Sequence, residues 1–202
     1  MTQSRGIAAG ILLLYLTVRF ALVQYLDALG HYASYVFEGI FVLAVLGVYR
    51  SRIHVSLEKL KAVLPDCVLA LPLGFGVYKF ALYFGIPVPF DFADHETLLF
   101  LLVLAPFLEE LIFRQALWYS AETLTARPTA TLAITTVIFG SAHFQAYFYV
   151  SSEVQHFVVY QTLYALLIGL WWGYRYMKTQ SVAVPIALHL LFNLGFYLGF
   201  VV

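Results

Sequence analysis

Charge is scarce in this chain. Lysine, arginine, aspartate and glutamate make up 11% of its 202 residues, with a formal net charge of zero. A soluble domain carries about a quarter charged residues, so an ordinary solvated surface is excluded. The lack of any basic excess removes the electrostatic case for nucleic acid as a partner. Cysteine is scarcer still: Cys67 stands alone, which excludes an internal disulfide and a thiolate zinc cluster. It sits in an apolar run as a small hydrophobe. No internal repeat, low-complexity tract or linker breaks the chain, so 1–202 reads as a single domain. Apolar side chains fill the space, with 62% hydrophobic residues and a mean hydropathy of +0.86. The chain therefore reads as an integral, multi-pass membrane protein with the lipid bilayer as its solvent.

A spanning helix needs about 20 mostly apolar residues. Segments near 6–26, 32–49, 63–85, 97–119, 129–149, 154–174 and 182–200 meet that requirement, predicting an all-α, polytopic bundle of about seven transmembrane helices. The first is too long for a signal-peptide core and reads as an uncleaved span. The third holds Pro72, Gly74 and Gly76 and is expected to bend or break. With the N-terminus inside, cytoplasmic segments carry Arg5, Arg50, Arg52, Lys59, Lys61, Arg127, Arg175 and Lys178, and the outward loops carry no Lys or Arg. That asymmetry predicts an N-in, C-out topology, with Trp118, Trp171 and Trp172 as belt aromatics at the inner interface. Residues 50–61 read equally as a basic amphipathic helix on the inner surface or as a plain loop.

Against this background, "APFLEELIFRQ" (105–115) places Glu109, Glu110 and Arg114 at mid-membrane. Each ionisable side chain there costs about 2.5–3.5 kcal/mol on insertion scales, so a group of them needs a reason. Glu110 precedes Arg114 by four residues, the favourable order for a pair on one helix face. Glu109 lies about 100° away around the helix and is left aimed elsewhere. Pro106 frees a backbone carbonyl one turn earlier and loosens the helix. Two more spans bring polar stations to comparable depth, His143 four residues after Phe139 and Asn193 four after His189. A bundle can converge such stations on a cavity, since none is suited to face lipid.

These residues resemble the motifs of a known family. "EELIFR" (109–114), "FGSAH" (139–143) and "HLLFN" (189–193) are similar, in order, to the Glu-Glu-x-x-x-Arg, Phe-x-x-x-His and His-x-x-x-Asn motifs of the CPBP intramembrane endopeptidases, which include the CAAX proteases. The motif core spans about 97–200, and the first hundred residues carry no family signal. The resemblance implies a hydrolase, a glutamic intramembrane protease that needs no metal or other cofactor and cuts a membrane-anchored protein or peptide. Under it, Glu109 is the catalytic carboxylate, His143 its partner in activating water, His189 and Asn193 the oxyanion donors, and Arg114 the holder of Glu110. The compact size points to a prokaryotic inner membrane.

Two other readings remain at this stage. Glu109, His143 and His189 could ligate zinc with Glu110 as base. Alternatively, the same groups could serve a proton-coupled transporter, a scaffold or an immunity factor, without catalysis. Elsewhere, Arg19 and Glu38 are expected to pair between the first two spans. Lys79 is expected to snorkel, join that pair or meet a substrate carboxylate. Asp66 reads as interfacial, Gln161 and Tyr160 as possible cavity walls, and His31, His54, His95 and His156 as residues of loops or span edges.

Overall fold

Helix is the only regular structure among the described residues of the computed structural model, which are 2–30, 32–49 and 54–202. Helix α1 (Thr2–Thr17) passes through a π-helical turn, Val18–Leu22, into α2 (Val23–Leu29). Helix α3 (Ala33–Tyr49) returns alongside. After the short α4 (Glu58–Ala62) comes α5 (Leu64–Tyr83). A long helix then runs unbroken from His95 to Thr125 as α6 (His95–Leu99), a π turn at Phe100–Leu104, α7 (Ala105–Glu110), a second π turn at Leu111–Ala116, and α8 (Leu117–Thr125). Helices α9 (Pro128–Phe144), α10 (Ser152–Thr179) and α11 (Ala183–Val201) complete the bundle.

Four segments are long and apolar enough to cross a membrane: Ser4–Leu26, Leu64–Tyr83, Ser152–Thr179 and Ala183–Val201. Ala33–Val48 is apolar but shorter. The other expected spans are present as helices without meeting that standard. The long helix carries Glu109, Glu110 and Arg114, and α9 has only 17 residues.

The packing corrects three sequence expectations. Pro72 lies inside α5 without breaking it, because the helix continues from Leu64 to Tyr83. Gly74 instead serves close approach: a Cβ there would fall on the Phe192 carbonyl oxygen, and one at Gly195 would fall on that of Leu71. Helices α5 and α11 thus cross backbone to backbone, as small residues allow in membrane bundles. Gly195→Val is expected to destabilise the protein by at least about 1–3 kcal/mol, since the added atoms meet backbone that cannot rotate away. An unchanged thermal midpoint in detergent would contradict that contact.

Second, two of the expected belt tryptophans are core residues. Trp118 and Trp172 are fully buried. Trp171 donates through Nε1 to Asp66 at 2.8 Å. Third, Asp66 is buried and also accepts from Arg175 Nε at 2.8 Å, a specific α5–α10 ion pair rather than a loose interfacial carboxylate. Of the 50–61 segment, Arg50, Ser51, Arg52 and Ile53 lie outside the described residues, as does His31. The described remainder is non-helical at 54–56 and helical only at Glu58–Ala62, with Ser56 and Ser181 exchanging hydrogen bonds at 2.9 and 3.0 Å. Among the described residues of that segment no continuous amphipathic helix forms.

Candidate active site

The two π turns bracket α7 and set the directions of its acids. Pro106 has no N–H to donate, and just ahead of it the Ala105 N–H reaches back to the Phe100 carbonyl, one residue further than in an α-helix. The Leu117 N–H likewise reaches Ile112. Such bulges rotate the residues between them relative to a straight helix.

Glu110 turns into the protein core. Its Oε2 accepts from Arg114 Nε at 3.0 Å, and both side chains are fully buried. Arg114 is further anchored by donating to the Gly169 carbonyl at 3.2 Å and lying 5.3 Å above the Phe139 ring. The second carboxylate oxygen, Oε1, is 3.0 Å from His189 Nδ1. A carboxylate can only accept, so the Nδ1 proton of His189 points at Glu110. The Trp172 ring covers the imidazole, 4.5 Å between centroids. Glu110 therefore bridges the long helix to α11.

Glu109 turns the other way, into a cavity of about 1580 Å³. Its Oε2 has no hydrogen-bond partner among the described residues and lies 4.0 Å from His143 Nε2. The other nitrogen of that ring, Nδ1, is 2.9 Å from the Phe139 carbonyl one turn earlier on α9. A carbonyl only accepts, so Nδ1 carries the proton and Nε2 faces Glu109. Asn193 donates through Nδ2 to the Leu101 carbonyl at 2.7 Å, in the π turn before Pro106. One of its two amide hydrogens remains for another acceptor.

Glu109, His143, His189 and Asn193 all line this one cavity, while Glu110 and Arg114 lie behind its wall. A second hollow of about 280 Å³, near Gln115, Trp118 and Tyr176, contains none of the four. Gln161 lines the main cavity, whereas Tyr160 donates to the Val77 carbonyl at 2.7 Å and ties α10 to α5. Lys79 lies 5.4 Å above the Phe75 ring and does not line the cavity. Arg19 and Glu38 do pair, at 3.4 Å, and Arg19 also donates to the Ala142 carbonyl at 3.3 Å next to His143.

Several cavity residues escaped the sequence reading. Tyr15, Gln145 and Tyr164 line it together with the Arg19–Glu38 pair. Their signal was weak, since single tyrosine and amide residues in apolar spans are common and carry no spacing pattern. The donor set of a zinc site does not assemble: among the described residues no three or more histidine, cysteine, aspartate or glutamate side chains are grouped to hold a metal ion.

A bundle of apolar helices around a largely apolar cavity, in which a carboxylate without a hydrogen-bond partner among the described residues faces an imidazole, suits a membrane-embedded protein built for chemistry or binding. A family model described as Rce1-like, type II CAAX prenyl endopeptidase, matches residues 95–195, half of the chain. The chain belongs to this family of membrane-embedded CAAX proteases, and its class is that of an intramembrane endopeptidase acting on a peptide or protein substrate. Curated proteins and solved structures give no match to the chain.

Proposed function

We propose that the protein hydrolyses a peptide bond of a membrane-anchored substrate with water activated by Glu109 and His143, and without a metal. The observation that carries this reading is the 4.0 Å separation of Glu109 Oε2 and His143 Nε2 at the cavity wall. That distance is too long for a direct hydrogen bond, yet two arms of about 2.8 Å meeting at one water oxygen span it. Oε2 and the unprotonated Nε2 would both accept from that water and draw its proton as it attacks the carbonyl carbon. The proton then passes to the departing amine.

The negative charge that develops on the carbonyl oxygen needs donors. Asn193 offers its remaining amide hydrogen. His189 has an N–H at Nε2 only as imidazolium, because Nδ1 already donates to Glu110. As an oxyanion donor it would act through that Nε2–H, with the ring held by the Glu110 carboxylate and the face of Trp172. Arg114 would serve structure, keeping Glu110 in place to orient His189.

Asn193→Ala removes one oxyanion donor and should cut turnover by about 10²–10³ while cleavage remains detectable. Steady-state rates on a verified substrate test this, and an unchanged rate would remove Asn193 from the site. We further propose seven spans, an N-in, C-out orientation and a prokaryotic inner membrane. The basic asymmetry supports the orientation, and the cavity's Asp94–Glu96 edge would then lie on the outer side.

The reading as a whole is tested by mass spectrometry of membrane-anchored peptides incubated with purified protein in vesicles, with and without a strong chelator. Cleavage that survives the chelator is expected. Cleavage that disappears and returns with zinc would favour the zinc alternative, and no cleavage of any peptide would favour a binding or transport role.

A further inference from the structure

The first helix lies outside the residues that match the family, yet it brings a cation to the cavity wall beside His143. Tyr15 and Arg19 are four residues apart, and both line that wall. Tyr15 is buried, and its ring meets Phe113 of the long helix edge-on at 5.8 Å and Phe41 of α3 at 5.4 Å. Those contacts fix where the first helix sits. Arg19 follows in the π turn, and its guanidinium joins two other elements. Nη1 reaches Glu38 on α3 at 3.4 Å, and Nη2 donates to the Ala142 carbonyl on α9 at 3.3 Å.

Stability alone does not account for this pair. A buried ion pair can often be replaced by packed apolar side chains without loss, and each charge inside a span is costly. Arg19 and Glu38 are also loosely joined, with one contact of 3.4 Å and with Arg19 Nε buried and lacking a hydrogen-bond partner among the described residues. The informative bond is the one to Ala142. That residue lies in the last turn of α9, where carbonyls lack their usual partners and the helix dipole leaves partial negative charge. A basic side chain there caps the helix end. The next residue is His143.

We propose that Arg19 is a positioning residue for His143, holding the last turn of α9 so that Nε2 stays opposite Glu109. Phe139 accepts the Nδ1 proton at 2.9 Å and packs on the imidazole, 4.7 Å between centroids, while Arg19 holds the adjoining backbone. The Phe139 ring in turn meets Phe113 edge-on at 5.0 Å, and Phe113 meets Tyr15. The first helix thus supports the imidazole through packed rings and through a hydrogen bond. Drawn to Glu38 and Ala142, the guanidinium makes no hydrogen bond to Glu109 Oε2, which stays free for water. This inference rests on the endopeptidase reading for the role of His143, whereas the support that Arg19 gives to the ring is a property of the fold.

The test separates position from stability in full-length protein in phosphatidylcholine vesicles. Arg19→Met removes the donor, and Arg19→Met combined with Glu38→Gln also removes the acid left unpaired. Arg19→Lys keeps the charge on a single ammonium. On a peptide that the wild type cleaves, Arg19→Met should lower kcat about ten- to a hundredfold and leave KM unchanged, as lost alignment does. The double variant should melt with the wild type and remain as slow, and Arg19→Lys should recover part of the rate. A second readout needs no cleavage. The ring-nitrogen magnetic resonances of His143, recognised by their loss in His143→Gln, should shift or broaden in Arg19→Met and in the double variant. Wild-type kcat in the double variant, or a His143 ring signal that neither variant moves, overturns the proposal and makes the pair structural. If the wild type cleaves no peptide, the endopeptidase reading falls, and the ring signal alone decides the place of Arg19.

Discussion

Glu109→Gln is expected to abolish cleavage, lowering turnover by at least about 10³-fold while the protein folds and unfolds as the wild type does. The substitution keeps the shape of the side chain and removes the charge that accepts the water proton. Because Glu109 Oε2 has no partner among the described residues, no structural bond is lost with it. The side chain is 25% exposed, so the neutral amide is not sealed in an apolar site. Turnover on a verified peptide and a thermal melt of the same preparation check the two halves together. A variant that cleaves at the wild-type rate would remove Glu109 from the chemistry, and one that fails to fold would make it structural.

Arg114→Ala should act in the opposite manner, chiefly on stability. Both members of the Glu110–Arg114 pair are fully buried, and removing one partner of such a pair costs about 3–5 kcal/mol because the other charge is left uncompensated. For a chain of this length the melting midpoint should fall by about 6–20 °C. Any residual folded protein should also be slow, since His189 depends on Glu110 for its orientation. Arg114→Met combined with Glu110→Gln removes both charges and should recover much of the stability without the activity. That separation of stability from rate is what distinguishes a positioning pair from a merely structural one. If Arg114→Ala melted with the wild type, the buried pair would not be holding the site.

The pairing of Glu110 with Arg114 was legible because it is local. Four residues on a helix bring Glu110 beneath Arg114 whatever the tertiary fold, and the structure finds them 3.0 Å apart. The Arg19–Glu38 pair was legible for a related reason, since two opposite charges at equal depth in neighbouring spans have few other partners. What the sequence could not show is tertiary. His189 reaches Glu110 across 79 positions, and Asp66 reaches Arg175 across 109. Neither separation leaves a periodic trace. Trp171 and Trp172 looked alike as interface aromatics, but neighbours on a helix point about 100° apart. One reaches Asp66 and the other roofs His189.

Helix content was legible from apolar run length, whereas the number of crossings was not. The run that bears the acids and arginine is too charged, and α9 too short, to be counted as spans by composition alone. Pro72 misled because proline breaks an isolated helix, yet neighbouring helices can support the freed carbonyl. Gly74 was read as part of a bend and turned out, with Gly195, to be a contact, which only the partner helix could reveal. The N-terminal third matched no motif and still contributes Tyr15, Arg19 and Glu38 to the cavity wall.

The most direct test of the shared cavity as the place of reaction is photo-crosslinking of a bound, uncleaved peptide. A photoreactive residue at the scissile position, presented to the Glu109→Gln protein in vesicles, should attach to cavity-wall residues on α7, α9 and α11, such as Leu108, Ala142 and Phe192. Adducts confined to the exposed outer faces of α1 and α3, or to the α4 segment, would contradict it.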